Sequence, residues 1–462
     1  MNTPALSASV LSELQSIVGP EYLLTSTEDR ICYAYDGQRQ EYLPEAIVRP
    51  KEASEISKIL VLANQERFPV VPRGAGTGLS GGSVASSGGV VLDLTRMDRI
   101  ISVDAGNQHM IVEPGVVTAA VLSKAEALGL LYPPDPGSMK VSTIGGNVAE
   151  NAGGLRAGKY GVTRNYLMQM SAVAPTGEEF RSGARTRKCV AGYDLVSMMC
   201  GSEGTLGVVT EVTLRLVPLP KHRKSMVATF RSASTAGQAI ANIIAAGLVP
   251  ATLEIIDNFT IRVIEDYAHL NLPTDAGAMV LAEFDGLVQS AVEQEGETGM
   301  RVFTESGAAT VEGADDAAQR DKIWQARRVA LAALSRARPT SILEDVTVPL
   351  PKLAEMISRV EQIAKANNLS VGTFGHAGDG NLHPTILADE RDEAEMERVE
   401  HAVEQLIDAA LELGGTVSGE HGIGFCKAPF LPREVGEGSM DIMRRVKRAM
   451  DPNNILNPGK FV

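Results

Sequence analysis

Cysteine is scarce in this chain of 462 residues: there are four, Cys32, Cys189, Cys200 and Cys426, and no two of them form a C-x-x-C pair. The spacing of a zinc ribbon or an iron–sulfur cluster is therefore missing. Scattered thiols of this kind suit a reducing compartment, and Cys426 reads as a packing residue rather than a nucleophile. Positive charge is also short, with 43 Lys and Arg against 57 Asp and Glu, for a net charge of −14. That balance argues against a nucleic-acid partner, and it means that an anionic substrate would need a local basic pocket. No apolar run approaches the roughly 20 residues that span a bilayer. The leading stretch has no basic segment followed by an apolar one, so it is not expected to be a signal peptide. It reads instead as an amphipathic helix with Leu11, Leu14 and Ile17 on one stripe. The expected location is the cytoplasm, or the periphery of a membrane through a partner.

What the chain has in quantity is glycine, 45 residues of it, gathered into stretches. Its length predicts two or three domains. Residues 43–97 read as strand, helix, strand, glycine loop, strand. The loop runs Arg73-Gly74-Ala75-Gly76-Thr77-Gly78-Leu79-Ser80-Gly81-Gly82-Ser83. Its backbone N–H groups can turn toward one anion, and a diphosphate is the natural occupant. It is not a Walker loop, since no Gly-Lys-Ser/Thr follows, and it is a poor dinucleotide fingerprint, since no helix opens after it. Residues 101–114 read as a hairpin. Residues 133–154 form a second stretch of small residues that would let a flat ring system approach the backbone. There Ser142, Thr143, Asn147 and Asn151 offer hydrogen bonds to a polar ring edge. A third stretch, residues 200–209, leads into a strand, and Pro218 and Pro220 mark a domain boundary.

Beyond residue 224 glycine thins out. The strand–helix–strand pattern predicts an antiparallel sheet with helices on one face, and the long helix of residues 317–336 carries the only tryptophan, Trp324. Two glycine-bounded turns then concentrate chemistry. One is Gly375-His376-Ala377-Gly378-Asp379-Gly380-Asn381-Leu382-His383-Pro384, and the other is Ser418-Gly419-Glu420-His421-Gly422-Ile423-Gly424. Two imidazoles and a carboxylate, His376, His383 and Glu420, make a three-ligand set for a divalent metal with positions left open for substrate. His421 is left to move a proton.

These stretches, in this order, resemble the flavoprotein family of vanillyl-alcohol-oxidase-type fold that includes D-lactate dehydrogenase, the FAD subunit of glycolate oxidase and D-2-hydroxyglutarate dehydrogenase. The resemblance is carried by PRGAGTGLSGGSV, GSMKVSTIGGNVAENAGGLRAGKYG, GYDLVSMMCGSEGTLGVVTEVTLRL, GHAGDGNLHP, GEHGIG and DPNNILNPGK. It implies an α+β protein with an FAD-binding domain over residues 1–220. A ferredoxin-like α+β cap would follow over residues 221–414, with a segment over residues 415–462 that returns to the FAD domain. It implies FAD held by Arg73, Gly74, Ala75, Gly76, Thr77, Gly78, Ser80, Gly81, Gly82, Pro136, Gly137, Ser138, Ser142, Thr143, Gly145, Gly146, Asn147, Asn151, Gly153, Gly154, Glu203, Gly204, Gly207, Val209 and Asn457. It also implies Zn, Mn or Fe on His376, His383 and Glu420, and His421 as the base. The diphosphate loop holds no His or Cys for covalent flavin attachment, so FAD is expected to be noncovalent.

The implied reaction oxidises a small D-2-hydroxy acid, D-lactate or glycolate, to the 2-oxo acid. Arg327 is the candidate for the substrate carboxylate, because a guanidinium binds one bidentately; Lys427 is a looser candidate near the same pocket. The diacid enzymes of the family would have a threonine where Leu331 stands and a lysine where Leu343 stands. That favours a monocarboxylate over D-2-hydroxyglutarate. Electrons would pass to an electron-transferring flavoprotein, an iron–sulfur subunit or a quinone. The rival readings are a D-2-hydroxyglutarate dehydrogenase, a non-catalytic FAD electron-transfer subunit and a non-haem iron oxygenase, whose metal triad has the same composition.

Overall fold

The computed structural model describes residues 6–38, 40–314 and 317–461, so the first five residues of the leading stretch lie outside the described part. The chain divides into two units. One comprises residues 1–153, 161–219 and 420–462, the other residues 154–160 and 220–419.

The first unit carries two main sheets. In one, the strands run in the order Leu23–Leu24, Ala46–Val48, Val90–Asp93, Val70–Arg73, and the last three are mutually parallel. The connection between Ala46–Val48 and Val70–Arg73 is the helix Ala53–Glu66. It forms because Ile56, Ile59, Leu60 and Ala63 recur at helical spacing, and all four are buried. Strands apolar at every position, such as Val90, Val91 and Leu92, fit a parallel sheet covered on both faces. The second sheet is antiparallel, in the order Ile100–Asp104, His109–Val112, Val208–Arg215, Leu167–Val173, Glu179–Gly183. The end of the chain returns to the first sheet, where Val70 and Leu456 form a parallel bridge. Between residue 420 and that return lies the helix Leu431–Met450, which the sequence reading did not assign.

The second unit is built on one antiparallel sheet. From edge to edge its strands are Thr310–Ala314, His222–Phe230, Ala278–Gly286, Thr252–Asp257, Ser370–Gly375, Asn381–Ala388 and Thr340–Leu343, and the short Val346–Thr347 also pairs with Asn381–Ala388. Here the expectation of helices on one face is corrected. Ala278, Val280, Ala282 and Phe284 pack with residues of Ala233–Ala245, Gln289–Glu305, Leu353–Ala366 and Glu393–Glu412. The alternate residues Met279 and Leu281 pack with Asn258–Ala268 and Ala317–Ala337. Both parities of the strand are apolar, which is what a sheet covered on two faces requires. Among the described residues no helix is long and apolar enough to cross a membrane.

Candidate active site

The glycine loop of the first unit follows directly from the strand Val70–Arg73. Among the described residues, none of the backbone N–H groups of residues 74–79 donates a hydrogen bond to the protein. A run of undischarged donors in a glycine loop is the chemistry of an anion nest, so the loop fits the diphosphate of FAD. Arg73 supports the loop from inside. Its side chain is buried, Nη1 donates to the Ser83 carbonyl at 3.1 Å, and its guanidinium lies 5.5 Å from the Tyr33 ring centroid. Gly76, at φ +68°, folds over it so tightly that a Cβ there would sit 2.2 Å from Arg73 Nη2.

The second small-residue stretch forms the short helix Ile144–Glu150, capped by the Thr143 hydroxyl on the Gly146 N–H. Its polar side chains are largely tied to the protein. Asn147 Nδ2 donates to Thr118 Oγ1 at 2.8 Å, and Thr118 in turn pairs with Ser142 Oγ at 2.9 Å. Asn151 Oδ1 accepts from the Arg164 N–H at 3.0 Å. Pro136 and Ser138 close a turn through their carbonyls, while no neighbour lies within 4 Å of a Cβ on Gly137. Gly145 packs on Pro114, Gly207 on Met199, and Val209 lies in the strand Val208–Arg215. Gly153 ends a segment of the first unit, and Gly154 begins one of the second.

Glu203, Gly204 and Asn457 belong to a clamp on the chain's last segment. Asn457 spends its amide on the protein, with Nδ2 on the Gly82 and Glu203 carbonyls and Oδ1 accepting from Lys460. Gly204 lies against that same amide. The Glu203 carboxylate accepts the N–H of Ile423 at 2.7 Å and of Gly424 at 2.6 Å. The turn after His421 is thus held from outside, and it sits so close to the glycine loop that a Cβ on Gly424 would fall 1.8 Å from the Ser80 carbonyl oxygen. Glu150 and Lys460, which the sequence reading did not single out, complete the cluster. Burial and then the Glu203 charge hold the Glu150 carboxyl well above the usual carboxylate range. Burial also raises Glu203, against the pull of its two backbone donors. Burial pushes Lys460 down to about 7, opposed by Asp36, Glu203 and Glu150.

In the second unit, Ser370–Gly375 and Asn381–Ala388 form a hairpin in which Phe374 stands opposite His383. The turn between them is pinned at Gly378, whose N–H donates to the Leu253 carbonyl at 3.0 Å. His376 and His383 are both buried, and their ring centroids are 5.2 Å apart at an interplanar angle of 86°. His376 Nδ1 lies 2.7 Å from Glu254 Oε1. A carboxylate there makes Nδ1 the protonated nitrogen and leaves the Nε2 lone pair for a metal, so the donor set fits a divalent ion. Further along the chain, Ser418 Oγ donates to Asp345 Oδ2 at 2.7 Å. Gly419 is wedged so that a Cβ would lie 2.0 Å from Thr347 Oγ1 and 2.7 Å from Asn381 Nδ2. Glu420 is the next residue. His421, beside it, is half-buried.

Arg327 projects from the helix Ala317–Ala337. Its Nε donates to Glu254 Oε2 at 2.5 Å, and its guanidinium carbon is 4.6 Å from the Phe374 ring centroid. Leu343 packs in the core on that face, whereas Leu331 is exposed. Glu254 was not foreseen. The signal for it was a carboxylate with apolar neighbours on both sides inside the strand Thr252–Asp257, where an unpaired charge is not tolerated.

Residues 44–183 match the family model described as an FAD binding domain, and residues 219–461 match the C-terminal domain of FAD linked oxidases. The chain is 45% identical over 457 residues to the glycolate oxidase subunit GlcD of Bacillus subtilis, covering 99% of this chain and 97% of that one. It is 38% identical over 427 residues to a D-lactate dehydrogenase of Anaerostipes hadrus, covering 90% and 89%. Among solved structures, p-cresol methylhydroxylase superposes with a TM-score of 0.80 at 16% identity, over 98% of this chain and 96% of that one. A likeness at that identity speaks for the fold, and it is the vanillyl-alcohol-oxidase-type fold expected from the sequence.

Proposed function

The chain belongs to the FAD-linked oxidases, as an FAD-dependent hydroxy-acid dehydrogenase, and from that premise we propose that it oxidises a small D-2-hydroxy acid, D-lactate or glycolate, to the 2-oxo acid. The observation that carries the reading is the pair of buried imidazoles His376 and His383, with ring centroids 5.2 Å apart, in a chain whose Arg327 shares Glu254 with His376.

When bound, FAD accepts the hydride from the substrate's α-carbon, and a divalent Zn, Mn or Fe polarises the α-hydroxyl and carboxylate. His376, His383 and Glu420 would hold that ion, a three-ligand set that would leave room for substrate. Arg327 offers the edge of its guanidinium not used by Glu254 to the substrate carboxylate. His421 Nε2 or Nδ1 takes the hydroxyl proton as the α-C–H bond breaks. The N–H groups of residues 74–79 would hold the diphosphate. The loop from Arg73 to Ser83 contains no attachment residue, so FAD is noncovalent. Leu331 and Leu343 offer no partner to a second carboxylate, which disfavours D-2-hydroxyglutarate. Electrons leave to an electron-transferring flavoprotein, an iron–sulfur subunit or a quinone, because the chain's four cysteines form no cluster-binding pattern. Dye reduction with a panel of D- and L-2-hydroxy acids tests the proposal. D-lactate or glycolate should turn over fastest, and equal rates with L-lactate or a clear preference for D-2-hydroxyglutarate would overturn it.

A further inference from the structure

Glu254 divides its two carboxylate oxygens between two different groups. Oε1 faces His376 Nδ1 at 2.7 Å, and Oε2 takes the Arg327 Nε–H at 2.5 Å. The Glu254 side chain is fully buried, and those of His376 and Arg327 nearly so. The contacts close a ring. Arg327 stacks on Phe374 at 4.6 Å, Phe374 meets His383 with ring centroids 5.7 Å apart, and His383 meets His376 at 5.2 Å. Packed in this way, neither the imidazole nor the guanidinium can turn without losing its oxygen of Glu254.

We propose that Glu254 is a positioning residue with two outputs: it fixes the tautomer of His376 that ligates the metal, and it aims Arg327 at the substrate carboxylate. The proposal rests on the reading of His376 as a ligand and Arg327 as the carboxylate anchor. It goes further in making one buried side chain responsible for both metal affinity and substrate affinity. Both neighbours present an N–H, and only a group with two acceptor oxygens can satisfy both. A glutamine has one. With its oxygen toward Arg327, its NH2 faces His376 Nδ1, which must then accept, moving the imidazole proton to Nε2 and blocking ligation. With its oxygen toward His376, its NH2 confronts the Arg327 Nε–H, and the guanidinium is displaced.

The test uses FAD-loaded protein stripped of metal by a chelator. Zn2+ or Mn2+ alone is titrated calorimetrically, and the KM for D-lactate is measured by dye reduction after reloading. Glu254→Gln should weaken metal binding about 10–100-fold, the usual effect of losing an outer partner of a ligating histidine. Its KM should also rise about tenfold or more. Arg327→Met leaves the Glu254–His376 pair intact, so it should raise KM but keep metal affinity within about threefold of the parent. In the double variant, assayed at saturating metal, KM should be no higher than in Arg327→Met alone, because with the metal site filled Glu254 acts on substrate only through Arg327. Additive effects on KM would indicate a merely structural role and overturn the proposal, as would parent-like metal affinity in Glu254→Gln. Should Glu254→Gln not fold, Arg327→Met still decides: loss of metal affinity there overturns the division of labour. His383→Asn tests the underlying reading separately. If it binds metal as the parent does, the histidines are not ligands; if it loses metal while Glu254→Gln retains it, only the role of Glu254 fails.

Discussion

Replacing Glu203 by glutamine should loosen the turn that carries Glu420 and His421. The Glu203 carboxylate is 4% exposed and accepts two backbone N–H groups, from Ile423 and Gly424. Glutamine keeps one acceptor and turns an NH2 toward the other N–H. Losing one charge-assisted hydrogen bond costs about 1.5–3 kcal/mol, and the stranded donors add about 1–3 kcal/mol. Against this stands a gain, because burial already holds the Glu203 carboxyl above its usual range and its charge raises that of Glu150. Removing a buried charge offsets part of the loss, which leaves a net cost of about 1–3 kcal/mol. Urea titration of FAD-loaded protein, followed by flavin fluorescence, should show a lower midpoint. Stopped-flow flavin reduction by D-lactate should slow about 10–100-fold, the penalty for a catalytic group misplaced by a fraction of an ångström or more. A parent-like midpoint together with a parent-like reduction rate would refute the argument that Glu203 holds the turn.

His421→Asn should keep metal content and the flavin spectrum but slow flavin reduction roughly 10²–10⁴-fold. The parent rate should fall at low pH as the imidazole is protonated, and that limb should vanish in the variant; equal rates in parent and variant would place the base elsewhere. Glu420→Gln should lose metal along with activity, and excess metal should restore part of the turnover; retention of metal would remove Glu420 from the ligand set. Acid precipitation should leave all yellow colour in the supernatant, and flavin in the pellet would contradict noncovalent binding.

The parts of the molecule that were legible are those where chemistry follows from residues close in sequence. The glycine loop of residues 73–83 and the turn from His376 to His383 each place their groups within about ten residues, and local glycines dictate the backbone. Glu254 is 122 residues from His376, so nothing local ties the two. The face of the sheet that holds Glu254 and Arg327 was missed for the same reason: helices on two faces are visible only when both parities of a strand are seen to be covered. Asn147 and Asn457 illustrate a different limit. An amide in a glycine-rich stretch looks available to a ligand, but the structure spends Asn147 Nδ2 on Thr118 and the Asn457 amide on Gly82, Glu203 and Lys460. The helix Leu431–Met450 went unassigned because it is broken at Gly436, where φ is +74°, and only Leu431, Met440 and Lys447 are buried along its length.

The seven residues 154–160 belong with the second unit although residues on both sides of them belong with the first. Their anchor is Asp285, a buried side chain whose oxygens take Lys159 Nζ at 2.6 Å and the Tyr160 hydroxyl at 2.9 and 2.8 Å. Anyone excising residues 220–419 as a free-standing domain would remove both partners of the Asp285 carboxylate. A fragment cut at the obvious sequence boundary would therefore lack these contacts, whereas a fusion that reattaches residues 154–160 ahead of residue 220 would restore them. At this one border, the unit a segment belongs with follows the counterpart of a buried carboxylate and not the order of the chain.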